Sequence, residues 1–295
     1  MIGTAAVISA GDMGAAVAAC LVGKGLTVTT YLTGRSSASR ERAHASGMQD
    51  TDSLESLVAT ADILLSIIPP ASAIEFAETI CPVIERSGND ILFVDCNAVS
   101  PSTLDSLSAI ASSHSVRFQD AGIVGAAPRL DRMPVRIYTS GAYNEVMKEL
   151  TTELIDIRSI GDQPGKASAL KMVYASLTKG TTALRVAAML AGEKLGVGEE
   201  IRSEFRYSLP AVYEAIEKRL PDIASVAGRW TGEMREIAST FERVGLPPAF
   251  HEGAEAIFDQ LSRTPISGES RDEAAQGDRS MEQLLEIYLK ALDDG

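Results

Sequence analysis

Cysteine is scarce in this chain. The three present, Cys20, Cys81 and Cys96, are too few and too scattered for a disulfide framework or a zinc cluster. They read as buried thiols of a protein kept in a reducing compartment, and the cytoplasm is the expected location. The three histidines, His44, His114 and His251, never fall one helical turn apart, so no protein-held metal is expected. Long apolar runs are also missing. The stretch from Ile63 to Ile68 is far short of a membrane span, and the first residues lack the basic flank and cleavage pattern of a secretory leader, so no membrane association is expected. Positive charge is in deficit: 27 Lys and Arg stand against 40 Asp and Glu, a formal net charge of -13. No basic stripe interrupts that surplus, which argues against a nucleic-acid partner and means that an anionic cofactor would need a local group of cations.

What is present is an ordinary globular composition, 45% hydrophobic and 23% charged, so the chain is expected to fold rather than stay disordered. Its 295 residues suit two domains of about 100–200 residues each. As far as Ile160, short apolar runs alternate with helix-like segments, the rhythm of βαβ units and a parallel sheet. Strands are predicted at Ala5–Ser9, Leu26–Leu32, Asp62–Ile68, Ile91–Cys96, Val116–Asp120, Val135–Ser140 and Ile157–Ile160. After Gly161 the strand signals stop. Residues 166–195 read as one long helix of ~45 Å, long enough to link domains or subunits. Helical patterning continues to Arg263, residues 264–279 read as a polar loop, and 281–292 as a terminal amphipathic helix. The predicted fold class is therefore α/β, with a Rossmann-type parallel-sheet domain over residues 1–161 and an all-helical domain over 162–295.

The first strand runs directly into Ser9-Ala10-Gly11-Asp12-Met13-Gly14 and then into an Ala-rich helix. In the dinucleotide fingerprint the second glycine admits the pyrophosphate and the third lets helix and strand pack closely, while the helix N-terminus presents amide donors. Gly11 and Gly14 fill those two positions, and Ser9 stands where the first glycine normally makes the turn. Alone, such a motif also describes a plain tight turn between strand and helix. The second strand ends without the acidic residue that would bind the ribose of NAD; the sequence there is Thr33-Gly34-Arg35-Ser36-Ser37. Arg35 can pair with a 2′-phosphate, with the hydroxyls of Ser36 and Ser37 beside it, which favours NADP(H) over NAD(H). A polar surface loop with incidental arginines is the competing reading.

Further segments occur in order: Ser66-Ile67-Ile68-Pro69-Pro70, Asp95-Cys96-Asn97-Ala98-Val99-Ser100-Pro101, Asp120-Ala121-Gly122-Ile123-Val124-Gly125-Ala126, and Gly161 through Lys171. Together with the glycine turn they resemble the β-hydroxyacid dehydrogenases, a family that includes 3-hydroxyisobutyrate and 6-phosphogluconate dehydrogenases and imine-reductase relatives. The resemblance covers most of the chain. It implies a helical C-terminal domain of the 6-phosphogluconate dehydrogenase type, cofactor contacts at Ser9, Gly11, Asp12, Met13, Gly14, Ile68, Pro69 and Asn97, and Lys171 as general acid/base on the substrate oxygen. It also implies a homodimer acting on a small molecule. A lysine desolvated beside such a site can have its pKa drawn toward neutrality, which a surface lysine cannot.

The departures from the family pattern bear on the substrate. The family's loop serine is Val124, its last glycine Ala126, its asparagine after the lysine Ala175, and its nicotinamide-side threonine Ala98. Loss of these polar binders points away from a small 3-hydroxy acid and toward a more apolar or larger substrate. Val124 and Gly125 of the loop, with Tyr174, Thr178 and Trp230 of the helical half, are candidate substrate contacts. Tyr174 equally suits a core or interface aromatic, and Trp230 a packing anchor between helices. An NADPH-dependent imine reductase is one alternative, opposed by the retained Lys171, and an NADP-binding sensor without turnover is another.

Overall fold

The structure, a computed structural model, describes residues 1–293 and separates into two compact units, Met1–Met172 and a second beginning at Val173. The first is built on eight strands: β1 Thr4–Ile8, β2 Thr27–Thr30, β3 Gln49–Asp50, β4 Ile63–Ser66, β5 Leu92–Asp95, β6 Arg117–Val124, β7 Val135–Ser140 and β8 Ile155–Ser159. Between them lie α1 Asp12–Gly23, α2 Ser37–Ala45, α3 Leu54–Thr60, α4 Ala73–Ser87, α5 Pro101–Ser113 and α6 Asn144–Lys148. The strands form one sheet in the order β3-β2-β1-β4-β5-β6-β7-β8.

Apolar residues on both faces of the central strands produce this layering. Ala5 and Val7 of β1 pack with Val17, Ala18 and Leu21 of α1 on one face, while Ala6 and Ile8 pack with Leu57, Val58 and Ala77 on the other. A strand buried on both sides reads as a continuous apolar run, as β1, β4 and β5 do. Cys81 and Cys96 are buried, and burial pushes the Cys81 thiol up to about 12 and raises that of Cys96 as well. Neither is a ready nucleophile.

Several predicted details differ in the structure. The sheet is not wholly parallel, because β6 and β7 pair antiparallel, with Val124 opposite Arg136. Residues 125–134 join them without a helix, and a parallel crossover needs about a dozen residues or more. The strand β6 also continues past Asp120 to Val124, and a two-residue strand, β3, was not expected. The polar stretch 264–279 is not a plain loop: it forms a 3-10 turn, Pro265–Gly268, and a short helix, Arg271–Gln276, held by a capping box between Ser270 and Glu273.

The long helix α7, Lys166–Lys194, begins in the first unit and continues into the second. It is followed by α8 Gly198–Ser208, α9 Pro210–Arg219, α10 Ile223–Arg243, α11 Ala249–Ser262, α12 Arg271–Gln276 and α13 Met281–Asp293. Two glycines inside α7 mark close packing: a Cβ on Gly192 would stand 2.9 Å from Ile201, and one on Gly180 would stand 3.1 Å from Phe250. Among the described residues no helix is long and apolar enough to cross a membrane.

Candidate active site

The glycine turn lies where β1 ends and α1 begins, with β1 flanked by β2 and β4. Strand order reverses there, the place where open α/β sheets hold their ligands. Each residue of the turn has a different constraint. Ser9 takes a left-handed backbone, φ 94°, so the chain forces on a serine the turn that a glycine makes freely. Its hydroxyl accepts a hydrogen bond from the Gly11 N–H at 3.2 Å. A Cβ on Gly14 would stand 2.0 Å from the Ser9 carbonyl oxygen, so helix and strand can meet only over a glycine. Gly11 is different: a Cβ there would meet nothing nearer than the Ser9 hydroxyl at 3.5 Å. Its lack of side chain is not needed by the fold; it leaves room above the N-terminus of α1, where no side chain caps the helix. An open glycine before uncapped amides fits the pyrophosphate of a dinucleotide. Asp12 is exposed and Met13 half-buried in the first turn of that helix.

At the end of β2 the chain turns from Leu32 to Arg35, whose N–H bonds the Leu32 carbonyl, with Gly34 at φ 75°. Arg35 and Ser36 are exposed, and the Ser36 hydroxyl accepts from the Ser39 N–H as the cap of α2. Two arginines that sequence reasoning did not single out complete this edge. Arg40 donates to the Leu32 carbonyl at 2.7 Å, and Arg42 donates to the Ala10 carbonyl at 2.9 Å, tying α2 to the glycine turn. Asp50 is committed elsewhere: it accepts the Leu32 N–H at 2.9 Å and faces Arg40 at 3.8 Å. The edge is therefore cationic in a strongly acidic chain.

Asn97 fastens the next two strand ends together. Its Oδ1 accepts from the Ile68 N–H at 2.7 Å, and its Nδ2 donates to Ser66 Oγ at 3.0 Å and to Asp95 Oδ1. Pro69, exposed, follows at once. Asn97 thus shapes the β4 and β5 ends through internal bonds, a role the sequence did not reveal because its partners Ile68 and Ser66 lie 29 and 31 residues away.

Asp95 and Asp120 are register partners on the parallel strands β5 and β6, so both carboxyls leave the same face of the sheet, fully buried. Asp120 is saturated with donors. It accepts from Ser140 Oγ at 2.6 Å, Ser168 Oγ at 2.6 Å, and the N–H groups of Gly165 at 2.8 Å and Ala167 at 3.0 Å. These are the first amides of α7, so Asp120 pins that helix by its positive end. Asp95 accepts from the N–H and the Nδ2 of Asn97. Burial first, then the neighbouring Asp120, pushes its carboxyl up to about 7, against the opposing pull of Lys171. Burial favours the neutral form of a carboxyl.

Gly122, two residues after Asp120, receives the helix. A Cβ there would stand 2.7 Å from the Ala167 carbonyl and 3.1 Å from Lys171 Cβ. The first turns of α7 therefore lie directly on β6, and Lys171 emerges half-buried beside it, with its charge acting on both Asp95 and Cys96. Val124 is buried at the end of β6, followed by exposed Gly125 at φ 125°. The remaining candidates lie in the second unit. Tyr174 and Thr178 are exposed on α7, with the Thr178 hydroxyl bonded back to the Tyr174 carbonyl at 3.3 Å. Trp230 meets Phe258 edge-on, ring centres 5.2 Å apart, as a packing contact between α10 and α11.

Comparison with known proteins agrees with this geometry. Residues 4–156 match the NAD-binding domain of 6-phosphogluconate dehydrogenase, and residues 193–261 match a domain of unknown function, DUF1932. An uncharacterized 28.5 kDa protein of Methanothermus fervidus is 28% identical over 174 residues, 59% of this chain; the match spans 65% of that relative's length. A conserved protein of unknown function, described as structurally similar to 3-hydroxyacid dehydrogenases, is 28% identical with TM-score 0.63, covering 90% of this chain and 100% of its own. The Mycobacterium tuberculosis 3-hydroxyisobutyrate dehydrogenase solved with L-serine is 17% identical with TM-score 0.67, covering 95% and 100%. An imine reductase from Myxococcus stipitatus solved with NADP+ is 17% identical with TM-score 0.55, covering 96% and 99%. The uncapped glycine turn, the strand ends gathered around Lys171 and a family match over more than half of the chain lead to one assignment: this protein belongs to the family that carries the nicotinamide-dinucleotide-binding domain of 6-phosphogluconate dehydrogenase, on a hydroxyacid-dehydrogenase-like fold.

Proposed function

We propose that the chain is a cytoplasmic NADP-dependent oxidoreductase that interconverts a hydroxy compound and its carbonyl, with Lys171 as the proton donor and acceptor. The observation that carries this reading is the position of Lys171 at the carboxyl edge of the sheet, seated on Gly122 and within electrostatic reach of Asp95. The bound cofactor would supply the hydride. Ser9, Gly11 and the first turn of α1 would hold its pyrophosphate, and Arg35 would pair with the 2′-phosphate, in an edge already made cationic by Arg40 and Arg42. In reduction, the Lys171 ammonium gives its proton to the oxygen that becomes the hydroxyl; in oxidation the amine takes it back. Asp120 holds the lysine's helix in place.

The apolar side chains Ala98 and Val124, both buried, favour a substrate without a small acid's dense polar contacts. They also support a second reading, reduction of an uncharged imine. Exposed apolar residues Val173, Leu177 and Leu184, on one stripe of α7 at 58%, 68% and 56% exposure, support a homodimer.

Fluorescence titration with NADPH and NADH, repeated on Arg35→Ala, tests the cofactor. NADPH binding that weakens selectively in the variant is expected; equal loss for both nucleotides, or no binding of either, refutes it. In a screen of carbonyl and cyclic imine substrates, Lys171→Met should lower turnover by about 10²–10⁴-fold while NADPH still binds.

A further inference from the structure

The helical unit concentrates positive charge that the dinucleotide site does not use. Asp222, buried between α9 and α10, accepts from Arg219 at 2.9 and 2.7 Å on its two oxygens and from Arg271 Nε at 2.6 Å. Glu233 on α10 takes Lys179 Nζ at 2.6 Å and faces Arg229 Nε at 3.6 Å. Each carboxylate is therefore shared by two cations, and the two triads meet at Trp230. The Arg219 guanidinium stands 4.6 Å from the centre of its ring and the Lys179 ammonium 5.4 Å. Burial holds Arg219 below its ordinary value against the pull of Asp222, and the charges of Arg271 and Arg229 act in the same direction as burial.

Four cations on two carboxylates leave a local excess of positive charge in a chain of net charge -13. A network serving only to hold helices together gains nothing from that imbalance, because like charges brought out of water repel. The excess is not uniformly hidden. Arg219 and Lys179 are largely covered, whereas the Arg229 and Arg271 side chains are 51% and 50% exposed. In both contacts it is Nε that faces the carboxylate, and the planar guanidinium carries its remaining N–H groups on a fork that suits an oxyanion.

We propose that this cluster is an oxyanion-binding site of the helical unit, in which Arg229 and Arg271 grip a phosphate or carboxylate group beside Trp230. The site stands on the residues of the second unit alone and does not depend on the redox reading.

Trp230 is the only tryptophan in the chain, so its emission reports on this site directly. The intact protein is titrated with inorganic phosphate and, separately, with malonate, at ionic strength held constant with sodium chloride, by tryptophan fluorescence and by calorimetry. The expected result is a saturable signal with at least one of the two anions and a rise in melting temperature with the same anion. Arg229→Gln and Arg271→Gln, both at half-exposed positions, should each weaken binding on the order of tenfold. A preference for phosphate identifies a phosphorylated ligand, and a preference for malonate a carboxylate; either supports the site. No saturation by either method, or variants that bind as the parent does, overturns the proposal.

Discussion

Replacing the two glycines of the first turn, one at a time, should separate folding from cofactor binding. In Gly14→Ala the new methyl would lie 2.0 Å from the Ser9 carbonyl oxygen, so α1 must lift from β1 by more than 1 Å. Overpacking of this kind costs about 3 kcal/mol or more when backbone must move. At roughly 2–4 °C per kcal/mol, the melting temperature should fall on the order of 10 °C. In Gly11→Ala the nearest atom is the Ser9 hydroxyl at 3.5 Å, and φ is -69°, which alanine adopts freely. Loss of glycine at the helix cap costs about 0.5–1 kcal/mol, and the stiffer unfolded chain returns about 0.4–1 kcal/mol. Stability should therefore stay within ~0.5 kcal/mol of the parent. The same methyl would stand in the space that the proposed pyrophosphate contact needs, so NADPH binding should weaken at least tenfold, about 1.4 kcal/mol. Thermal unfolding by circular dichroism and NADPH fluorescence titration read the two effects independently. A Gly11→Ala protein that binds NADPH as the parent does would refute the cradle, and a Gly14→Ala protein of unchanged stability would refute the packing argument.

Other outcomes follow from the buried carboxyls. Asp95 is raised from the ordinary 3.8 to about 7 by burial and by Asp120, so the folded state holds its proton more tightly than the unfolded chain. Its contribution to stability is complete below pH 3.8 and is lost as pH rises to 7. Asp95→Asn keeps an acceptor for Asn97 and abolishes this loss, so its melting temperature relative to the parent should be higher at pH 8 than at pH 5; a constant difference contradicts the assignment. Asp120→Ala leaves buried hydroxyl and amide donors at the head of α7 without their acceptor, and should cost about 3–5 kcal/mol. Equilibrium urea unfolding measures it, and a loss below about 1 kcal/mol would show that water or a neighbour replaces the carboxylate.

The parts of this site that were legible in the sequence are the local ones. The strand, turn and helix around Gly11 and Gly14 span a dozen residues, and Ser9 stood out as a departure because its position demands a glycine's backbone. Long α7 announced itself by composition. What the sequence hid depends on contacts between distant residues. Asn97 binds Ile68 and Ser66, 29 and 31 positions away, and Asp120 binds the head of α7 45–48 positions away. No periodicity carries such pairings. The direction of β7 was hidden for a related reason: apolar alternation is the same in parallel and antiparallel strands, and only the short helix-free link before it betrays the reversal. The capping box at Ser270 and Glu273 had a local signature, but a six-residue helix within a polar run is too short to show a face.

The division of the chain falls within α7, one residue after Lys171. The lysine, the glycine it rests on and the carboxylate that holds its helix therefore share one compact unit with the nucleotide-binding strands. On the proposed reading of Lys171 as the proton donor, residues of the helical half could change while the lysine keeps its seat on β6. The match to the NAD-binding domain of 6-phosphogluconate dehydrogenase ends at residue 156 and that to the domain of unknown function begins at 193, so the segment that carries the lysine is the hinge of sequence between them.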